Sequence, residues 1–273
     1  METIPKGSWP DGTIRLLSQG NTYISNECKR LDTSLFQTRL MFKKTLCMRG
    51  KDAAELFYDA DRFSRHDAAP SRLKRTLIGK GGVQGLDGEN HQDRKAMFMS
   101  LMSSSNIHRL VSIFERRWHE AALKWTEMET FSLYEEASEV CFEAACEWSG
   151  VQLDNVDVPK RTQQMMLMIE SPAAIGTLHL RGILARKRAE RWAAQLLREA
   201  RESPLTSNSN QALFAFAHHK TATGEHLDEH SAAVDFLNVI RPIVAIGRYI
   251  CFSAMALHQN PERRQKLKQG TDD

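Results

Sequence analysis

No two of the five cysteines, Cys28, Cys47, Cys141, Cys146 and Cys251, stand in a C-x-x-C spacing. Scattered single thiols suit a reducing compartment better than a disulfide framework, so a cytoplasmic protein is expected. The N-terminal METIPKGSWPDG lacks an apolar signal core, and the longest apolar run contains Arg241 and Arg248. Neither a signal peptide nor a membrane span is therefore expected. Charge of one sign is also scarce: the net charge is +3, which gives no general basis for binding nucleic acid or an anionic membrane. There is no P-loop, no Gly-x-Gly-x-x-Gly fingerprint, no Ser-His-Asp order and no repeat period.

What is present is an ordinary globular composition, 41% hydrophobic and 26% charged over 273 residues, enough for a sizeable core. Residues 1 to about 30 read as an arm and a short helix anchored by Leu16, Leu17, Tyr23 and Ile24. Alternation from Leu35 to Met48 predicts a hairpin of two short strands, followed by a helix over Lys51 to Asp59. Arg62 to Gly88 is rich in glycine and predicts a long loop able to cover a ligand. From Glu89 the pattern is helical, with a break at Pro204 to Asn210 and a last long helix capped by Asp228. The fold class is mainly α, an α-rich α+β architecture with one small hairpin, read as one domain over residues 1–273.

The long helix carries the most informative pair, Arg241 followed by Pro242 in DFLNVIRPIVAIGRYICFSAMALHQNPE. Proline removes one backbone N–H, so a kink is expected near Arg241. Leu237, Asn238, Val244 and Ala245 lie three and four residues away, so no carboxylate on that helix face can neutralise the guanidinium. Either a distant acid folds over it or a ligand carboxylate or phosphate occupies the site; spacing by itself favours the structural ion pair.

Other constellations are weaker. His91 and Lys95, with Arg94 on the flank, could hold an anion, although basic residues there read more simply as a solvated face. His226 and His230 have a helical metal spacing, without a third ligand nearby. Arg186 to Arg201 forms a basic amphipathic helix whose Glu190 and Glu199 point to a solvated face.

Taken together, LFQTRL, AAELFYDADRFSR, VQGLDGENHQDRKAMFMSLM, ERRWHEAALKW, CFEAACEWSGV, NVIRPIVAI and FSAMALHQNPE resemble the cytochrome P450 family, in its fatty-acid peroxygenase branch. The resemblance implies haem b as cofactor, hydrogen peroxide as oxidant without a redox partner, and a long-chain fatty acid as substrate. It implies that Arg241 binds the fatty-acid carboxylate beside Pro242, where most relatives carry an acid and an alcohol. It places Gln84, Leu77 and Ile78 at the substrate loop, and His91 and Lys95 at the haem propionates. The family's Glu-x-x-Arg helix and the cysteine loop that supplies the axial thiolate have no counterpart here, so the metal ligand is missing. Glu27 with Arg30, and Gly247 with Cys251, have the right spacing in the wrong places. The N-terminal, distal portion of the fold is thus expected, inactive alone and prone to aggregate. A non-enzymatic helical fragment that binds fatty acid or a partner protein is the alternative.

Overall fold

The computed structural model describes all residues except 1, 2, 9, 60, 61, 155, 203–210, 222, 223 and 271–273. The chain divides into two compact units, Met1–Ser64 and Arg65–Asp273.

The first unit contains helices α1 (Thr13–Gln19) and α2 (Tyr23–Arg30), strands β1 (Leu35–Leu40) and β2 (Lys43–Met48), and helix α3 (Lys51–Phe57). The strands pair antiparallel, in register from Leu35 opposite Met48 to Leu40 opposite Lys43, as the alternation predicted. Their two-residue turn is unusual, because Met41 and Phe42 both take positive φ, 51° and 63°, which glycine or asparagine normally supplies. Upstream acceptors hold it: Met41 N–H donates to Thr13 Oγ1 at 2.6 Å and Phe42 N–H to Asp11 Oδ2 at 2.7 Å. Tyr23, Cys28, Phe36 and Cys47 form a small core, with Leu16 and Ile24 against it. Leu17, expected as an anchor, is 58% exposed instead. Beside this core the buried Glu27 carboxylate accepts from Ser8, Arg15 and Arg30.

The second unit is helical. A short helix α4 (Ser71–Leu73) runs into a π-helical turn, Lys74–Ile78, and then into a glycine-rich strap that ends in a 3-10 turn at Val83–Gly85. Part of the expected loop is therefore helix. There follow α5 (Gly88–Leu101), α6 (Ser104–Trp125), α7 (Leu133–Ser149), α8 (Val158–Glu170), α9 (Thr177–Glu202), α10 (Ala212–His218), α11 (Glu229–Val244), α12 (Ile246–Gln259) and α13 (Pro261–Gln269). The expected break at 204–210 lies outside the described residues. Caps mark several starts: Ser103, Ser132, Asp157 and Asp228 each accept from a backbone N–H of the first turn.

Helix α11 is the centre of this unit. Every residue from Ser231 to Ile240 is buried, and the helix packs on α7, α8, α9 and α10. The core around it includes Phe142, Trp148, Met165, Met168, Phe216 and Phe236. Burying side chains of this size contributes roughly 1.5–3 kcal/mol each, the main force ordering the bundle. Close approach of α8 and α9 depends on Gly182, where a Cβ would lie 1.8 Å from Ser171 Oγ. The helical run is interrupted at Ala245, four residues beyond Arg241, with Pro242 still inside α11. The kink expected near Arg241 is thus displaced by one turn: Ala245 N–H still reaches the Arg241 carbonyl at 3.1 Å, and the register breaks only after it. Glu229–Gln259 is long and apolar enough to cross a membrane by length and composition, although its N-terminal third is the enclosed protein core just described.

Candidate functional site

Asp235, Asn238 and Arg241 lie on successive turns of α11. Asp235 is fully buried, and its carboxylate accepts from Val83 N–H at 2.9 Å and pairs with Arg94 of α5. Burial pushes this carboxyl up, against the opposing pull of Val83 N–H and Arg94. Arg94 also donates to the Gly81 carbonyl at 3.2 Å. One turn on, Asn238 Nδ2 donates to the Ile78 carbonyl at 2.8 Å and to Gln84 Oε1 at 3.2 Å. From α9, the buried Arg186 donates Nη1 to the Leu77 carbonyl at 2.7 Å and Nε to Glu190 at 2.7 Å. The strap at 77–85 is thereby tied to three helices, α5, α9 and α11, through five of its residues. Gly79 makes the close pass possible, with φ at 79° and a Cβ position only 2.3 Å from Arg186 Nη2.

These ties place the residues singled out in the sequence. Ile78 and Gln84 are brought to Asn238, three residues before Arg241, while Leu77 is held by Arg186. Leu77 and Ile78 are partly buried, whereas the Gln84 side chain is exposed apart from its bond to Asn238. Pro242 is exposed. His91 is partly buried and Lys95 exposed on α5; burial, then the nearby charges of Arg65 and Lys95, hold the His91 ring below its usual protonation range. Arg94 does not join them in an anion cluster, because Asp235 takes its charge. Arg65, at the start of this unit, adds its charge near His91 while pairing with Asp87, and the sequence alone gave no signal for it.

Arg241 is the anomaly. Among the described residues no carboxylate pairs with it, so the structural ion pair favoured by spacing does not form. Its Nε is buried without a hydrogen-bond partner. Burial first, and the positive charge of Arg186 second, depress the guanidinium to about 10, well below the range usual for arginine. A partly buried cation under the influence of a second cation, with a buried donor unused, has the electrostatics that favour an anion.

Two other sequence readings change. His226 precedes α11 and bridges Lys220 in an extended pairing, so its spacing to His230 is not helical. Arg186 lies 2% exposed, and Arg201 donates to the Ala217 and Leu227 carbonyls, so those two arginines of the α9 stripe hold the core together and are not solvated.

The chain's residues fit one side of a haem and not the other. Arg65, His91 and Lys95 lie near one another, with Asp87 beside Arg65 as the acid among them. No cysteine offers a thiolate: Cys28, Cys47, Cys141 and Cys146 are buried, with the Cys141 thiol pushed up to about 12, and burial raises half-buried Cys251 as well. On α12, Ile246, Tyr249, Phe252 and Met255 are between 46% and 67% exposed, a long apolar face without cover among the described residues.

No family model matches the chain. Solved structures do. Cytochrome P450EX alpha (CYP152N1) with myristic acid is 41% identical over 100% of this chain, with a TM-score of 0.92, and the chain covers 66% of it. Cytochrome P450SP alpha (CYP152B1) in complex with (R)-ibuprofen is 39% identical over 96% of this chain, with 64% of its own length covered and a TM-score of 0.91. A variant of cytochrome P450 OleT in complex with arachidonic acid is 33% identical over 98%, with 64% of its own length covered and a TM-score of 0.91. The chain therefore spans 64 to 66% of the length of these three relatives. With this likeness running from end to end of the chain, and with Arg241 and Pro242 on its central helix, the chain belongs to the cytochrome P450 family, among the CYP152 members.

Proposed function

We propose that this chain forms the substrate-binding, distal part of a haem-thiolate fatty-acid peroxygenase, in which Arg241 holds the carboxylate of a long-chain fatty acid. The observation that carries the reading is the uncompensated Arg241 guanidinium with its unused Nε. A carboxylate supplies the missing counter-charge and accepts a fork of two donors, an arrangement that fixes orientation as well as charge. The relatives solved with myristic and arachidonic acid agree with that ligand class.

Haem, where bound, would supply the oxidising chemistry, with Arg65, His91 and Lys95 as the residues to hold its propionates. The contribution of this chain is positional. A carboxylate fixed on Arg241 can take a proton from hydrogen peroxide and return it to the oxygen that leaves as water, so the substrate provides the acid-base group the helix lacks. The same anchor sets Cα and Cβ as the carbons nearest the reacting centre, which makes hydroxylation there, or loss of carbon dioxide, the expected outcome. Pro242 shapes the helix beside the anchor and takes no part in proton transfer. The strap through Leu77, Ile78 and Gln84 closes over the acid.

The test is a calorimetric titration of the chain with myristate and with methyl myristate. Myristate should bind and its methyl ester should not, and Arg241→Met should abolish myristate binding. Equal binding of acid and ester would overturn the reading. A haem titration read by the ferrous carbonyl spectrum decides the chemistry: no thiolate-type band is expected from these residues alone. The exposed α12 face supports a second reading, a non-enzymatic fatty-acid or partner-binding fragment. Myristate binding that persists without haem uptake under any condition would favour it.

A further inference from the structure

Two adjoining clefts of about 380 and 500 Å³ share Lys187, Glu190 and His230 as walls. Five cationic side chains line the smaller one, Lys74, Arg75, Lys80, Arg186 and Lys187, against the single carboxylate of Glu190. The larger adds Arg191 and Glu229. Neither acid neutralises the mobile cations. Glu190 is held by Arg186 at 2.7 Å, and Glu229 pairs with Arg198 at 3.3 Å. Of the remaining cations, Lys74 pairs with the exposed Asp67 at 3.0 Å, and among the described residues Arg75, Lys80, Lys187 and Arg191 have no carboxylate partner.

The arrangement comes directly from the fold. Residues 183, 186, 187, 190, 191 and 194 form one stripe of α9, at helical spacing. The π-helical turn and the strap bring Lys74, Arg75 and Lys80 opposite that stripe, because Arg186 itself tethers the strap through the Leu77 carbonyl. Arg186 is a fixed guanidinium at the base, and its Nη2 has only a 3.5 Å contact, to the Val234 carbonyl, leaving donor capacity to spare. Ile183, Ala194 and Ala233 give the clefts an apolar floor. Low-dielectric walls around one sign of charge focus the field into the cleft. The charge exceeds what one carboxylate can satisfy. It matches a phosphate-bearing anion, whose several oxygens accept from more than one lysine or arginine.

We propose that this cleft binds a phosphate-bearing ligand, with Lys80 and Lys187 as opposing clamps over the buried Arg186. Free organic phosphates and lipid phosphate headgroups share that chemistry. Arg241 does not line either cleft, and the proposal does not depend on the peroxygenase reading.

Calorimetry of the full chain with inorganic pyrophosphate tests it, beside flotation with phosphatidylcholine vesicles containing phosphatidic acid. The Lys80→Glu, Lys187→Glu double variant should weaken binding by at least about tenfold, while Arg188→Glu, the same charge change on the same helix outside the clefts, should leave it intact. Both lysines are exposed, so the double variant is expected to melt as the parent does, and circular dichroism checks this. Pyrophosphate binding with that variant pattern supports a soluble ligand. Vesicle binding alone, with the same pattern, assigns the site to a headgroup. Absence of both, or an equal loss in Arg188→Glu, overturns the proposal.

Discussion

Replacing Arg241 with methionine should make the ligand-free chain more stable. Burial and the nearby Arg186 bring the guanidinium down from the ordinary arginine range to about 10 in the folded protein. At about 1.36 kcal/mol per unit, folding with the charge in place costs roughly 3 kcal/mol relative to the neutral form. The sign follows from proton counting. Above about pH 10 the unfolded chain binds more protons at this residue than the folded one, so stability rises with pH until the unfolded arginine also titrates. The cost is fully present at every pH below about 10. Methionine has similar length and no charge, so Arg241→Met should recover about 1–3 kcal/mol, a gain of roughly 2–12 °C in melting temperature for a unit of this size. Urea unfolding at neutral pH, with and without myristate, reads both halves of the argument. Saturating myristate should stabilise the parent by ~2.7 kcal/mol at a hundred times its Kd and should leave the variant unmoved. Arg241→Lys keeps the charge and loses the fork, and should bind myristate more weakly without gaining stability. If Arg241→Met proves less stable than the parent by more than about 1 kcal/mol, the arginine holds the structure together and the argument for an anion site fails.

Three further outcomes can be checked. Asp235→Asn removes the counter-charge of buried Arg94, and should cost about 3–5 kcal/mol and loosen the strap, seen as faster amide exchange at Val83. Gly79→Ala forces a Cβ to within 2.3 Å of Arg186 Nη2 at a positive φ, so it should destabilise by roughly 1–3 kcal/mol and weaken myristate binding in parallel. In the first unit, burial would raise the Glu27 carboxyl, but hydrogen bonds from Arg30 and Ser8 outweigh it and bring the group to about 2. Its stabilisation is present above about pH 4.5 and lost as pH falls toward 2, so Glu27→Gln should flatten the acid limb of the unfolding curve.

The chain's own order of residues determined a good deal. Periodicity located the hairpin, and α7 from Leu133 to Ser149 to the residue, because caps and apolar spacing are local properties. The absence of an acid within one turn of Arg241 already posed the question of its counter-charge. Tertiary structure decided the answer. Asp235 is six residues from Arg241, about 240° around the helix at 100° per residue, and so faces Arg94 instead. The fold spent the available acid there, gave Glu190 to Arg186, and left Arg241 with none. Nor could local sequence show that Met41 and Phe42 turn the hairpin, since the acceptors that permit it belong to Asp11 and Thr13, about thirty residues earlier. The same holds for the strap. Its glycines announced a loop, but its bonds to Arg186, Arg94, Asp235 and Asn238 join residues 13 to 160 apart in sequence. Pairings of buried charges are set by which faces the packed helices turn toward one another, and only the assembled bundle fixes those faces.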